Sequence, residues 1–496
     1  MRKEIQYYLE IKMRKMGQWA LAPSDSETWH GEDSSKYFKK LYGVSKGSLA
    51  LHNFKDHSQH MYFPQEFFDN LYACIKKINK KDYKGLERKL KTFYPLKKKA
   101  KQAIQKINPK DLSKISNIQL IKIYKKNRDW MHRMTIYDQF GWTAEGYWIP
   151  IMEDILVKKL KIQRNSKEYY NVLFKLTKPE EISTTLKEKR AVLSEVIKIK
   201  EKNQSIDIAS KKLAKQYGWM PVFTYGTPWG PEYYQKQIGD LLSQNLLKLK
   251  QGYHVLKNYS EIRNRDVSEL VGKYHIQKKD LQIFIDFGLA LDTRNEEEYL
   301  VSFAGFHLLP IYKEISRRTY LAINQIRNLF EDEIIETLKG AIDPIQVLKD
   351  KGNICGWGFN RAMTKRINFT KNEASRIFRH LEKTAENLQG NDENQGVCAN
   401  IGMVKGKAKI ILNPTQNDKV KNGDIMIAQA TTVDYLPAMK RAAAFVTEVG
   451  GLTCHAAVVA REFGVPAIVS YKNATKVFQD GDMIEVDAGN GIIKKV

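Results

Sequence analysis

Residues 447–470 read TEVGGLTCHAAVVAREFGVPAIVS, and the fold of the C-terminal part of the chain follows from this stretch. The β-branched run up to Thr447 predicts a strand that enters a turn at Gly450-Gly451. Good helix formers from His455 onward predict a short helix that stops at Gly464, a residue suited to the left-handed position just past a helix, with Pro466 preventing continuation. Paired glycines let a backbone approach a ligand closely. Thr453 can cap the helix or offer its hydroxyl to an anion. The first N–H groups of a helix lack intrahelical partners and carry the positive end of its dipole, so a phosphoryl group beside His455 would be welcomed there. The same field disfavours imidazolium, and neutral imidazole is the form that can accept a phosphoryl group as a nucleophile. The residues alone leave open a second reading, a buried histidine at the start of its own helix.

Outward from this stretch the pattern stays the same. Residues 407–412, 425–428, 444–447, 467–469 and 483–486 are short apolar runs separated by turn formers such as Asn422-Gly423-Asp424 and Asp480-Gly481-Asp482. Short helices are expected at 436–442 and 455–463. Ten of the 30 glycines fall in the last 103 residues. The expectation is a compact α/β module over 396–496, joined through the polar stretch QGNDENQ at 389–395, a linker. Residues 1–388 read mainly as all-α, in one or two lobes. Helical periodicity is clearest over 116–140 and 181–202, with further helices at 280–287, 303–330 and 332–338 and a stop at Gly340. Glycine- and proline-rich interruptions stand at 217–233 and 352–360.

The 496 residues include 82 Lys+Arg and 56 Asp+Glu, a net charge of +26, with 42% hydrophobic residues. That much apolar surface excludes wholesale disorder and supports several domains. The opening residues, Met1-Arg-Lys-Glu-Ile-Gln, hold no apolar run long enough for a secretory signal, and none is expected. The longest apolar stretch, 281–291, is broken by Asp286 and too short to cross a bilayer, so no membrane association is expected and a cytoplasmic location is. Cys74, Cys355, Cys398 and Cys454 form no CxxC pair. Charge is uneven: residues 394–496 carry only +3, and 76–110 hold 14 basic against 2 acidic residues. Such a run can bind phosphate backbones, but no nucleic-acid-binding motif accompanies it, and a solvated helix face is the favoured reading. His52, His57 and His60 lack zinc spacing, so no metal site is expected.

The string GGLTCHAAVVAREFGVPAIVS resembles the mobile phosphohistidine domain of phosphoenolpyruvate-utilising enzymes, a family that includes phosphoenolpyruvate synthase, pyruvate phosphate dikinase and rifampicin phosphotransferase. Gly402–Gly406 (GMVKG), Thr431-Thr432-Val433-Asp434 and the closing Asp480-Gly481-Asp482 and Val486-Asp487 match further family segments in the right order. The resemblance implies a swivelling β/β/α domain with His455 as the phosphorylated residue. It places Gly450, Gly451, Thr453, Cys454 and Arg461 around the phosphoryl group. Two departures stand out: Glu448 where the family usually has Asp, and Ser470 where it usually has Gly.

Relatives pair this domain with an ATP-grasp kinase domain, and some add a barrel. Neither is expected here: only 41 residues follow His455, no phosphate-binding loop of the Walker type occurs, and the Lys-rich helical region does not read as ATP-grasp. Residues 214–234 and 311–340 resemble the middle, acceptor-holding domain of rifampicin phosphotransferase-like proteins. Trp130, Trp142, Trp148, Trp219, Trp229 and Trp357 could line an aromatic groove for a small-molecule acceptor or serve as core anchors. Asp286, Asp292, Arg294, Glu314, Arg317 and Arg318 could form an ion-pair network or steer that acceptor. The leading expectation is a phosphotransferase component: a separate ATP-grasp subunit, using ATP and Mg²⁺, loads His455, which passes the group on. This chain itself is expected to bind no cofactor. The alternatives are a non-catalytic regulatory or scaffold protein that retains the fold, and a nucleic-acid-associated protein using 76–110.

Overall fold

The computed structural model describes residues 2–19, 23–24, 27, 31–54, 58–107, 111–143, 145–222, 227–363, 365–384, 386–387 and 395–496. Almost all of the 389–395 stretch, His57 and the side chain of Trp142 lie outside the described residues. The chain forms two compact units, one of residues 1–144 with 304–390 and the other of 145–303 with 391–496. No helix among the described residues is long and apolar enough to cross a membrane.

The first unit corrects the all-α expectation for residues 1–388. Its helices surround a six-stranded sheet of β1 (Met13–Trp19), β2 (Leu49–Asn53), β3 (Ser58–Pro64), β4 (Ile354–Phe359), β5 (Arg366–Phe369) and β6 (Glu386–Asn387). The order is β5-β4-β2-β3-β1-β6, antiparallel except for β1 with β6. The 352–360 stretch, read as a glycine-rich interruption of the helical pattern, supplies β4. Its glycines admit neighbours: a Cβ on Gly356 would lie 2.4 Å from the Ala50 carbonyl, and one on Gly358 would lie 2.5 Å from the Tyr8 hydroxyl. Tyr8 donates that hydroxyl to the Phe359 carbonyl at 2.7 Å. Helices Lys3–Glu10 and Lys371–Thr384 bury Ile5, Tyr8, Ile377 and Leu381 against Leu49, Leu51 and Tyr62 of the sheet. His52 and His60 are buried in β2 and β3.

The second unit begins with a helical segment. Helices Glu145–Asp154, Lys167–Leu176, Thr184–Lys202, Ile206–Tyr217, Pro231–Leu242, Leu246–Lys257 and Tyr259–Tyr274 follow one another. Ser166, Ser183 and Asn245 cap three of them with side-chain oxygens, satisfying N–H groups that have no intrahelical acceptor. The separate helices expected at 280–287 and after 303 are one helix, Lys278–Thr319, which contributes residues to both units. It ends where Tyr320 takes a φ of 57°. Trp148 is fully buried edge-on against Phe287, and Trp219 packs on Tyr299 and Phe303. With Trp229 and Trp357 also buried, these four tryptophans are core anchors.

The C-terminal module completes this unit with β7 (Val397–Asn400), β8 (Met403–Ile411), β9 (Ile425–Ala428), β10 (Ala444–Thr447), β11 (Ala467–Val469), β12 (Met483–Asp487) and β13 (Ile492–Lys495). Sheet order is β13-β12-β8-β9-β10-β11-β7, with β8 through β11 parallel. The strands and the helix His455–Phe463 stand where the hydrophobic runs and the Gly464 stop place them, and Gly464 takes a φ of 70°. Ile425, Ile427, Val446, Ile468, Ile484 and Val486 form the shared core.

Candidate functional site

Parallel pairing of β9 and β10 decides which loops meet. Both strands run in one direction, so the segments after Ala428 and Thr447 leave the sheet at the same carboxyl end, where α/β sheets form ligand crevices. The pairing continues past the strands, with Glu448 N–H donating to the Ala428 carbonyl and Val449 N–H to that of Gln429. Thr431 is thereby brought to the first residue of the following helix. Its Oγ1 lies 3.1 Å from His455 Nδ1.

His455 is only 3% exposed, and its Nε2 is buried without a hydrogen-bond partner. Burial and then the nearby Arg294 cation push its pKa down to about 3, so the ring is neutral at physiological pH. When Nδ1–H donates to Thr431, the lone pair is on Nε2. Burial and Arg294 thus act in the same direction as the helix dipole, towards neutral imidazole.

The loop before the helix is built on its glycines. Gly450 has a φ of 123°, and a Cβ there would lie 2.7 Å from Cys454 Sγ. Cys454 is the N-cap by backbone geometry, and burial pushes its thiol pKa up. Ser470 also has a left-handed φ, 58°, which explains why glycine suits that position. Here the serine hydroxyl bonds to the Gly450 carbonyl and ties the loop down. Glu448 accepts from Thr475 N–H at 2.8 Å and from the Thr475 hydroxyl at 2.6 Å, a structural use of the longer acid. Arg461 turns its guanidinium to the Leu452 carbonyl, 2.6 Å away, and stacks over Phe174.

Two side chains from the helical segment complete the site. Glu145, in the first turn of its helix, accepts from Leu452 N–H and from the Thr453 hydroxyl, both at 2.7 Å. Its carboxylate faces Gly451, where a Cβ would lie 2.4 Å from Oε1. Burial raises the Glu145 pKa, against the lowering effects of Thr453, Leu452, Arg294 and Arg461. Arg294 also pairs with Glu298 at 3.5 Å. In the sequence Arg294 is one of several dispersed charges, and Glu145 belongs to no motif. Of the others in that group, Glu314 pairs with Arg317 and Arg318 in the first unit.

Gly450, Gly451, Thr453, Cys454 and His455 are thus together in one loop-helix corner, while Arg461, in the last turn of the helix, braces it through the Leu452 carbonyl. Among the described residues no group of three or more His, Cys, Asp or Glu is arranged to hold a metal ion.

Residues 420–491 match the family model of the PEP-utilising enzyme mobile domain. The chain is 48% identical over 112 residues to a probable phosphoenolpyruvate synthase of Archaeoglobus fulgidus, covering 23% of this chain and 15% of that protein. It is 42% identical over 118 residues to the phosphoenolpyruvate synthase of Pyrococcus furiosus, covering 23% and 14%. With that of Deinococcus radiodurans it shares 39% over 117 residues, covering 24% and 15%. The matched part is therefore about one seventh of each relative's length.

Proposed function

We propose that residues 396–496 are a phosphohistidine carrier. In this reading His455 takes a phosphoryl group from a separate ATP-grasp subunit and passes it to a small-molecule acceptor held by the helical region, in a cytoplasmic setting. The observation that carries the reading is the buried, unpartnered Nε2 of His455 at the start of a helix, directly after a turn whose Leu452 N–H and Thr453 hydroxyl already hold a carboxylate. ATP and Mg²⁺ would be supplied on the partner, where the cation offsets charge on the nucleotide. This chain's part is to present a neutral nucleophile, to receive oxygens at Leu452 N–H and the Thr453 hydroxyl, and to hold Nδ1 at Thr431 while Nε2 bonds to phosphorus. Gly450, Gly451 and Cys454 shape that corner, and Arg461 keeps its loop in place.

A ring 3% exposed cannot meet a nucleotide in this arrangement. The reading therefore requires the module to leave the 145–303 segment, through the 389–395 linker, to be loaded. The experiment is incubation of the chain with Mg-ATP and a candidate ATP-grasp protein from the same cell. An acid-labile phosphate is expected on the wild type and none on His455→Ala; label that persists in the variant refutes the assignment. The burial of His455 also favours a second reading, a regulatory protein that keeps the fold without carrying phosphate. That reading is supported if no donor labels the chain while a defined protein binds it tightly.

A further inference from the structure

The carboxylate of Glu145 satisfies donors that belong to the module rather than to its own helix. Leu452 N–H and the Thr453 hydroxyl each give it a 2.7 Å hydrogen bond, and the bare Cα of Gly451 lets it come close. The nine-residue helix His455–Phe463 starts directly after this turn, with its dipole favouring negative charge there. His455, two residues after Thr453 and the first residue of that helix, has a buried, unpartnered Nε2. A carboxylate and a phosphoryl group present the same kind of acceptor oxygens to N–H and O–H donors.

We propose that Glu145 is a resident anion in the phosphoryl seat of the module, so that an oxyanion at His455 and the Glu145 carboxylate exclude one another. The inference rests on the phosphohistidine reading and extends it. The docked form is the unphosphorylated one, because a phosphoryl group on Nε2 would meet a second negative charge over the same two donors. Loading expels Glu145, and discharge to an acceptor lets it return. The 145–303 segment thereby distinguishes the charged from the empty carrier without any additional domain.

Phosphoramidate tests this without a kinase: its phosphoryl group forms a P–N bond to imidazole as its own P–N bond breaks and ammonia leaves. Labelling of His455 in the full chain is compared for wild type, Glu145→Gln and Glu145→Ala, with His455→Ala as blank. Loss of a charge-assisted hydrogen bond predicts labelling about tenfold faster, or more, in both Glu145 variants. In a second arm, inorganic phosphate is titrated against each variant while the Leu452 amide resonance is followed. The resonance should shift in the variants and stay fixed in wild type. Equal labelling rates overturn the proposal. Faster labelling without phosphate binding also overturns it, since Glu145 would then be only a latch. If the isosteric Glu145→Gln fails to fold, Glu145 is a structural strut and the proposal falls. Failure of every ATP-grasp partner to load His455 would refute the carrier reading yet leave both arms legible.

Discussion

At the scale of single residues, the tautomer of His455 decides its chemistry. Thr431 Oγ1 faces Nδ1 at 3.1 Å, and the opposite nitrogen has no partner. A hydrogen bond fixing Nδ1–H keeps the lone pair on Nε2. Thr431→Val removes that partner with little change in volume. Labelling of His455 is expected to fall about tenfold, the value of a hydrogen bond of roughly 1.4 kcal/mol. Nitrogen-15 shifts of His455 should show both tautomers in the variant and one in wild type; an unchanged rate and spectrum would deny Thr431 this role. Much of the corner was legible in the sequence because its parts are contiguous: two glycines, a threonine and a histidine at a helix start. Glu145 was not, because it lies 308 positions before Thr453 and has no motif of its own.

At the scale of elements, the module is held to the helical segment by a buried charge. Lys440, just after the helix Leu436–Met439, places Nζ 2.9 Å from each carboxylate oxygen of Glu188 on the helix Thr184–Lys202. Trp229 and Tyr233 lie 5.4 and 5.7 Å from that ammonium. Glu188 is fully buried, so removing its partner leaves an uncompensated charge. Lys440→Met should cost about 3–5 kcal/mol in denaturant unfolding, and Lys440→Met with Glu188→Met should recover most of it. A second contact is sensitive to pH. Burial and the facing Glu296 and Asp292 carboxylates push Glu462 up to about 7, against the lowering effect of hydrogen bonds from Ser183 and Thr185. Because its folded pKa lies above the ordinary 4.5, its stabilising contribution is complete below that value and is lost as pH rises through about 7. Glu462→Gln should flatten this decline in melting temperature between pH 5 and 8; an identical slope would mean that Glu462 does not titrate there. The helices and strands of this unit follow periods readable in the sequence. The sheet of the first unit did not announce itself, because its strands carry buried His52, Gln59 and His60 in place of an apolar run, and in β4 use glycines that mimic a loop.

At the scale of the whole chain, sequence order and compact units do not coincide. The first unit needs both 1–144 and 304–390: β2 pairs with β4, Tyr8 reaches Phe359, and buried Arg128 donates to Glu331 at 2.7 Å. Periodicity reports local structure and gives no signal for such closure between distant segments. The module, by contrast, draws its core from one continuous stretch, Val404 to Ile493. These two facts predict different behaviour when the chain is cut. A fragment of residues 395–496 should unfold cooperatively in urea, with matching transitions by far- and near-ultraviolet circular dichroism. A fragment of residues 1–144 keeps β3 beside β2 but lacks β4 on its other side, the helix Lys371–Thr384 and Glu331, and should retain some helix but show no cooperative near-ultraviolet transition. Adding a 304–390 fragment should restore that transition, since it returns the missing strand, helix and carboxylate together. A cooperative melt of 1–144 alone would show that the pairing between distant segments decorates this unit rather than building it.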